Sequence, residues 1–304
     1  MRIHRYGDAS VIRQDEIPRP VPGDGAVVLR VAATSFNPSE VGLRRGLLRS
    51  VFPLDLPYTL GGDVAGTVAE VGDGVHTLAV GDRVIGRLDG GAAAEYAVAA
   101  ADVLVAAPAA IPLEHAAAIP IAGVTAWQAV FEHARITSGQ RVLINGTGSV
   151  GRFAVQLARH AGAHVIAAGT HGAEAARQLG ADQIVDHSRT ALADALDEPV
   201  DVLLNFAVID PSRLAAMAPL IRPGGVLVSA TVEVTQITAA PVRAVRFVVR
   251  NDTAHLAALV KLVDAGAVRV DVAESRPLAE LASVHREAEA GRLRGKTVLV
   301  PGRP

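Results

Sequence analysis

Short apolar runs alternate with helix-like segments through the second half of the chain. The runs are nearly continuous in Val, Ile and Leu and are predicted as strands at 142–144, 164–168, 183–186, 201–206 and 226–230. Segments with apolar residues at helical spacing separate them, at 150–160, 172–179, 188–196 and 211–220. The last helix is predicted to begin after Asp210 as its N-cap, with Pro211 in the first helical position. Apolar strands joined by helices predict a parallel sheet covered on both faces.

The first 110 residues follow a different pattern, in which Pro and Gly are dense and the β-type segments are short. Strands are predicted at 26–35, 64–71, 82–85 and 95–105, which together indicate a compact, irregular all-β unit. Helical spacing begins near Leu113 and continues through 125–131 into the parallel sheet. After a last strand at 245–249, a helix is predicted at 253–265.

The turn after the first parallel strand carries Gly146, Gly148 and Gly151 in the spacing G-x-G-x-x-G. The first glycine permits a tight turn, the second lets the backbone approach a pyrophosphate, and the third lets the helix pack on its strand. The helix N-terminus adds N–H donors and positive potential. An isolated match in a Gly-rich chain is as often a plain turn, but the strand before it and the helix after it favour a dinucleotide site.

Composition narrows the choice of ligand and compartment. The chain has 304 residues, enough for two domains, and a formal net charge of −2, which gives no electrostatic signature for nucleic acid or an anionic membrane. Pro and charged residues interrupt its apolar stretches, and its first residues lack the apolar core of a signal peptide. We therefore expect a cytoplasmic protein whose partners are small molecules. The absence of cysteine excludes disulfides, thiolate metal sites and cysteine nucleophiles.

A series of spaced motifs resembles the medium-chain dehydrogenase/reductase superfamily over nearly the whole chain. The superfamily motifs are Gly61–Gly66 with Val68, Val71-Gly72, Gly74-Val75 and Gly81–Val84. Further motifs resemble the quinone oxidoreductase (zeta-crystallin-like) branch, namely Asn37–Glu40 with Arg45-Gly46, Leu56–Tyr58, Ala118–Pro120, Thr125–Trp127, Gly180–Asp182 and Gly291–Lys296. The resemblance implies an α/β protein with a GroES-like β-barrel domain at 1–117 and 268–304 and a Rossmann NADP(H)-binding domain with a doubly wound parallel sheet at 118–267. It also implies a homodimer.

The resemblance permits a test for zinc. Zinc-dependent alcohol dehydrogenases of this superfamily carry Cys where Asn37 stands, His where Gly62 stands, and a four-cysteine structural zinc lobe, and this chain has none of these ligands. A catalytic zinc needs about three protein ligands. Asp63 and Glu40 are the remaining candidates near these motifs, and a supporting or surface role fits them better. We interpret His115, His133, His160 and His164 as ordinary solvated histidines and expect no metal site.

Without zinc, the expected substrate needs little electrophilic help. Quinones and α,β-unsaturated carbonyls accept hydride readily because they are conjugated, water can deliver the proton, and the cofactor carries out the hard chemistry. By resemblance, Asn37 and Thr125 would line the nicotinamide pocket, although Asn37 also fits a turn and Thr125 a helix cap. Tyr58 is a candidate donor to a carbonyl oxygen, or an aromatic ring packed beside Pro57. These three are the candidate catalytic residues.

The end of the second parallel strand predicts NADPH as the coenzyme. NAD-specific Rossmann sites carry an acid there for the ribose 2′-hydroxyl, whereas this strand ends Ala167-Ala168-Gly169-Thr170. His171 stands where many relatives carry Lys or Arg, and Thr170 and Arg177 could add a hydroxyl and a second charge. Carboxyl ends of parallel strands bind ligands, and these ends supply most of the predicted cofactor contacts. The full set is Gly146, Thr147, Gly148, Ser149, Val150, Gly151, Gly169, Thr170, His171, Arg177, His187, Asn205, Phe206, Ala207, Ser229, Ala230, Thr231 and Lys296.

Two other functions stay open at this point. A relative could bind NADPH without turnover, as a sensor or structural protein. An enoyl-thioester reductase would favour a basic surface for its carrier, and Arg44, Arg45 and Arg49 could supply it, although solvated charges on a loop are the plainer interpretation.

Overall fold

The computed structural model describes residues 1–170, 173–237 and 241–302. Its strands are β1 (Arg2–Ile3), β2 (Ile12–Arg13), β3 (Ala26–Ser35), β4 (Tyr58–Thr59), β5 (Asp63–Val71), β6 (Arg83–Arg87), β7 (Tyr96–Ala100), β8 (Leu104–Ala106), β9 (Arg141–Asn145), β10 (His164–Ala168), β11 (Gln183–Val185), β12 (Val200–Asn205), β13 (Ile221–Ser229), β14 (Arg243–Arg246), β15 (Val272–Pro277) and β16 (Lys296–Val300). Its α-helices are α1 (Ser39–Arg44), α2 (Leu113–Ala116), α3 (Pro120–Trp127), α4 (Ser149–His160), α5 (Ala173–Gln178), α6 (Leu192–Ala195), α7 (Pro211–Ala215), α8 (Thr253–Asp264) and α9 (Leu281–Glu289).

The backbone divides into two compact units. The first comprises Met1–Ile121, Asn251–Asp264 and Val270–Pro304, and the second comprises Ala122–Arg250 and Ala265–Arg269. Helix α8 therefore belongs to the first unit by compactness. These units are defined by how compactly the backbone packs, and they do not show which part of the chain folds by itself. The predicted domain limits, 1–117 with 268–304 and 118–267, therefore stay a prediction.

A six-stranded parallel sheet forms the second unit, in the order β11-β10-β9-β12-β13-β14. This is the order of a doubly wound dinucleotide-binding sheet. Its central strands β9 and β12 are buried along their whole apolar runs, as their lack of polar alternation predicts. The parallel Rossmann sheet predicted from the alternating pattern is confirmed.

Most of the first unit is antiparallel. Its larger sheet has the order β15-β16-β3-β5-β6-β8, with β7 also paired to β3, and a small sheet joins β2, β1 and β4. Strand β3 is central because it pairs with β16, β5 and β7. The predicted GroES-like β unit is confirmed, and β16 brings the last part of the chain against β3.

Several predicted elements are shorter than their patterns suggested. The helix at 188–196 is reduced to α6, and a turn precedes it in which the backbone N of Ser188 donates to Oδ1 of Asp186 at 2.9 Å. The helix at 211–220 ends as α7 and is followed by a 3₁₀ turn at Ala218–Leu220, where Pro219 cannot continue an α-helix. The segment at 95–105 is β7 and the start of β8 around a 3₁₀ turn, and the strand at 245–249 is β14, which ends at Arg246. Within the described residues, no helix combines the length and apolar character needed to cross a bilayer.

Candidate functional site

The turn between β9 and α4 contains the three spaced glycines. Gly146 has φ +103°, and a Cβ there would lie 2.8 Å from the backbone N of Ala207. A Cβ on Gly151 would lie 1.9 Å from the carbonyl oxygen of Gly146, so the third glycine lets α4 pack on β9. A Cβ on Gly148 would meet none of the described residues within 4 Å. The middle glycine therefore faces open space in the described structure, and no contact there requires a glycine.

Gly148 is also the N-cap of the 12-residue helix α4, and it offers no side chain to the helix's first N–H groups. Thr147 is buried on one side of this cap, while Ser149 and Val150 begin the helix. Backbone donors at an uncapped helix start, with the positive end of the helix dipole, make a binding site for an anion such as a phosphate.

Hydrogen-bonded polar side chains run along the carboxyl ends of the parallel strands, and we call them the edge network. His187 follows β11, and its Nε2 lies 2.9 Å from Oδ1 of Asn145 at the end of β9. Nδ2 of Asn145 donates to Oδ1 of Asn205 at 2.7 Å, across the register pair that joins β9 and β12. Nδ2 of Asn205 lies 3.3 Å from Oγ of Ser229 and 3.0 Å from Oγ1 of Thr231. The network thus connects four strand ends.

The edge network holds the loop after β12 against the loop after β13. Thr231 Oγ1 donates to the carbonyl oxygen of Ala207 at 2.7 Å, and Asn205 Nδ2 reaches the same oxygen at 3.1 Å. Phe206 N donates to the oxygen of Asn145 at 2.8 Å, and Ala230 N donates to that of Asn205 at 3.1 Å. The predicted contacts at 205–207 and 229–231 therefore meet at the same edge as the glycine turn.

His187 is the titratable member of the edge network. Partial burial lowers the pKa of its imidazole, and the nearby carboxylate of Asp186 acts in the opposite direction to a smaller extent. Because Asn145 commits its amide N–H to Asn205, its Oδ1 accepts from His187, which places the proton on Nε2.

The end of β10 carries the predicted 2′-phosphate contacts. Gly169 N donates to the oxygen of Val185 at 3.0 Å, and Thr170 follows it on the surface. Arg177 is exposed on α5, with its Nη1 2.7 Å from Oε2 of Glu174 one turn earlier. His171 lies outside the described residues.

In the first unit, Asn37, Asp63 and Lys296 form a buried hydrogen-bonded cluster. The Lys296 ammonium lies 2.8 Å from Oδ1 of Asn37 and 3.2 Å from Oδ2 of Asp63. Asp63 is completely buried, which excludes the surface role and leaves the supporting role of the two that were expected for it. Lys296 had been predicted as a cofactor contact, and the structure places its charge inside the first unit.

Helix α1 carries two further buried ionisable side chains, Glu40 and Arg44. Arg44 Nη2 lies 2.7 Å from Oε1 of Glu289, and its Nε donates to Nδ1 of the buried His285 at 3.3 Å. The suggestion that Arg44 could serve a basic carrier surface was wrong, because its side chain has no solvent exposure. Arg45 and Arg49 are exposed.

Of the other candidate catalytic residues, Tyr58 lies in the first unit and Thr125 in the second. The Tyr58 hydroxyl donates to the carbonyl oxygen of Asp89. Burial, with smaller contributions from Glu40 and Asp89, raises the pKa of Tyr58 to about 12. Thr125 lies on α3 and is buried.

Among the described residues, no group of three or more His, Asp or Glu side chains is arranged to hold a metal ion. A Cβ on Gly62 would lie 3.1 Å from Cδ1 of Ile121, so a histidine ligand would be tightly placed there. His164 Nδ1 lies 3.6 Å from a carboxylate oxygen of Asp182 at the surface, and His160 is exposed at the end of α4.

Asn145 is the residue of the edge network that the sequence interpretation missed. The sequence does contain a signal for Asn145, because this asparagine ends the apolar run of β9 just as Asn205 ends that of β12. A polar amide as the last residue of two buried strands suggests a shared role at the carboxyl edge.

Two family models match the chain. A family model described as alcohol dehydrogenase GroES-like domain matches residues 23–109, and one described as zinc-binding dehydrogenase matches residues 179–299. The chain is 31% identical to the chloroplast envelope quinone oxidoreductase homolog of Arabidopsis thaliana, over 97% of this chain and 95% of that protein.

Two solved structures resemble the whole chain. The quinone oxidoreductase of Escherichia coli complexed with NADPH is 25% identical, with a TM-score of 0.88 and coverage of 99% of each chain. The CurK enoyl reductase is also 25% identical, with a TM-score of 0.88 and coverage of 99% of each chain. With the sheet order, the glycine turn and these matches in place, the chain belongs to the medium-chain dehydrogenase/reductase superfamily and, within it, to the zinc-independent quinone oxidoreductase branch.

Proposed function

We propose that this protein transfers hydride from NADPH to a quinone or an α,β-unsaturated carbonyl without a zinc ion. The observation that carries the proposal is the open position at Gly148, where the uncapped start of α4 meets the edge network. A pyrophosphate needs backbone N–H donors at close approach, and a side chain at this position would obstruct it.

The residues present fit a nicotinamide dinucleotide. The Gly146–Gly151 turn and the first turn of α4 would hold the pyrophosphate, and the loops at 205–207 and 229–231 would border the nicotinamide half. When bound, the dihydronicotinamide supplies the hydride. The protein holds the nicotinamide ring and the substrate in register. The edge network contributes to this because it keeps the loops at 205–207 and 229–231 in a single arrangement.

The choice of NADPH rests on the end of β10. No acidic residue stands between Ala168 and Ala173, so no carboxylate at that position would repel a 2′-phosphate. Thr170 offers a hydroxyl, and Arg177 is an exposed guanidinium on the next helix. The E. coli structure was solved with NADPH bound, which supports the same choice.

We assign the proton that completes the reduction to water. The raised pKa of Tyr58 makes its phenol a weak acid, and its hydroxyl already donates a hydrogen bond to the backbone carbonyl oxygen of Asp89. In an enone, hydride at the β-carbon gives an enolate, which takes one proton from solvent. In a quinone, hydride and one proton together give the hydroquinone, and no electrophilic metal is needed in either case.

Oxidation of NADPH in the presence of a panel of quinones and 2-alkenals tests the proposal. We expect turnover with at least one compound of these classes, and a higher kcat/KM with NADPH than with NADH at every pH. Equal or better use of NADH throughout would contradict the coenzyme assignment. Binding of NADPH without turnover of any substrate would favour the sensor function.

The enoyl-thioester reductase alternative is favoured by the likeness to the CurK enoyl reductase. Burial of Arg44 removes one of the three cations that could have bound a carrier. Adding a free 2-enoyl thioester to the panel separates the two functions, since preference for the thioester over 2-alkenals would support the alternative.

The resemblance further leads us to propose a homodimer. Light scattering on a sizing column tests this, and a mass near 31.4 kDa would contradict it.

A further inference from the structure

Lys296 begins β16 and is 2% exposed, although its side chain carries a full charge. Its ammonium lies 2.8 Å from Asn37 Oδ1, 3.2 Å from Asp63 Oδ2 and 3.2 Å from the carbonyl oxygen of Phe36. An ammonium has three N–H donors, so these three acceptors use all of them. No donor is left for a phosphate or a substrate oxygen.

Asp63 begins β5 and supplies the matching charge with no solvent exposure. Its Oδ2 accepts from Ser35 Oγ, from Asn37 Nδ2 at 2.8 Å and from Lys296, and its Oδ1 accepts from the backbone N of Ile121 at 2.8 Å. A buried carboxylate held by this many donors is fixed in place.

The two charges meet at the side-chain amide of Asn37. Its oxygen accepts from Lys296, and its nitrogen donates to Asp63 and, at 3.4 Å, to the carbonyl oxygen of Ser35. If the amide were flipped, its NH₂ group would face the Lys296 ammonium and its oxygen would face the Asp63 carboxylate. The pair of opposite charges therefore permits only one orientation of the amide.

We propose that Lys296 and Asp63 are positioning residues whose task is to orient the amide of Asn37. This rests on the proposed function and on the family resemblance, which assigns Asn37 to the nicotinamide pocket. It replaces the role of Lys296 as a cofactor contact, and it explains why a lysine is buried at the start of a strand, where an apolar side chain would otherwise fit.

The variant Lys296→Met paired with Asp63→Asn tests the proposal, because it removes both charges and leaves no unpaired ion. Removing only one partner leaves a buried charge, so the single variants are expected to unfold more easily, whereas the double variant regains much of the stability. We expect the double variant to fold and to bind NADPH within about 3-fold of the parent, since the glycine turn belongs to the other unit. We expect its kcat to fall by about 10- to 100-fold because the amide is no longer held.

Two other outcomes would overturn the proposal. A double variant that recovers both thermal stability and kcat would show that the ion pair only supports the fold. A large, salt-dependent loss of NADPH affinity with kcat unchanged would show that Lys296 holds a phosphate after all. As a matched control, Arg44→Met with Glu289→Gln removes another cation buried in the same unit, and its folded fraction should keep the parent kcat.

A second measurement separates this inference from the proposed function. Side-chain amide protons of Asn37, identified by their absence in Asn37→Asp, should be protected from solvent exchange in the parent. They should exchange at least about 10-fold faster in the double variant, while those of Asn145 do not change. If the parent reduces no quinone or enone, the proposed function fails while the exchange result still decides the positioning role. Unchanged exchange would overturn it.

Discussion

At the scale of single residues, Gly148 is the position whose lack of a side chain is best explained by a bound ligand. A Cβ added at Gly148 would meet none of the described residues within 4 Å, and the backbone there has φ −73°, which any residue adopts. We expect the melting temperature of Gly148→Val to stay close to that of the parent. Affinity for NADPH should fall by at least about 10-fold, equivalent to about 1.4 kcal/mol, because the side chain occupies the space of the pyrophosphate. Fluorescence titration of NADPH measures the change.

Gly151→Ala is the matched control for this variant. Its Cβ would lie 1.9 Å from the oxygen of Gly146, so we expect it to destabilise the fold as well as binding. If Gly148→Val bound NADPH normally, the three glycines would form a turn without a ligand role.

His187 leads to a prediction about pH. Partial burial lowers the pKa of its folded-state imidazole below the ordinary value of about 6.5, so the unfolded chain binds more protons in the window beneath that value. Its contribution to stability is therefore present above about pH 6.5 and is lost as the pH falls through this window. His133, whose pKa burial also lowers, contributes in the same direction.

We expect the melting temperature to fall between about pH 7.5 and about pH 5.5, and to fall less in His187→Gln, which keeps a donor for Asn145. Calorimetry at a series of pH values gives the slopes. The carboxylates of Asp186 and Asp210 have pKa values lowered by bonds from Ser188 and Ser212, so their contributions are lost only at more acidic pH. Equal slopes in parent and variant would contradict this interpretation of His187.

At the scale of elements, the edge network ties β9 to β12 at their carboxyl ends. Asn145 and Asn205 are both buried, so Asn145→Leu or Asn205→Leu removes from the other amide the 2.7 Å hydrogen bond that joins them. Each single change should cost about 1–3 kcal/mol of stability. The double variant should cost less than the sum by about 1 kcal/mol, because no amide is then left unpaired. Denaturant titration of the four proteins measures the coupling.

Gln156 supplies the control for this cycle, since it bonds the backbone of Arg269 and shares no partner with Asn145. Asn145→Leu combined with Gln156→Leu should be additive. Additivity between Asn145 and Asn205 as well would mean that their 2.7 Å hydrogen bond contributes nothing measurable.

The elements themselves show where pattern and structure diverge. The long buried strands and α4 were predicted well, because their apolar spacing is a local property. The helices at 188–196 and 211–220 were predicted too long. In the first, residues 187–189 form a turn instead of helix, and in the second Pro219 ends the helical geometry although the apolar spacing continues.

At the scale of the whole molecule, the expected reaction proceeds without zinc. The chain contains no cysteine, and the described residues contain no group of three His, Asp or Glu side chains placed as ligands. We expect NADPH-dependent activity and melting temperature to be unchanged after treatment with a chelator, and stoichiometric zinc to add nothing. Loss of activity on chelation, restored by zinc alone, would contradict this.

The sequence by itself determined the two kinds of architecture, which are the irregular β unit and the parallel Rossmann sheet. It also determined the glycine turn and the superfamily. Each of these is recognised from motifs whose own residues lie close together along the chain. A strand, a turn and a helix are encoded within about 20 residues around Gly146, and their geometry follows from local sterics. Only the tertiary structure decided which polar residues meet. Lys296 is 233 residues from Asp63, so no local pattern could pair them. The sequence places Asn145 and Asn205 at the ends of two buried strands, but only the structure shows that these residues, 60 apart along the chain, bond to each other. Whether a charge is solvated or buried depends on what the rest of the chain packs against it, which is why the burial of Arg44 and Lys296 could not be predicted from the sequence.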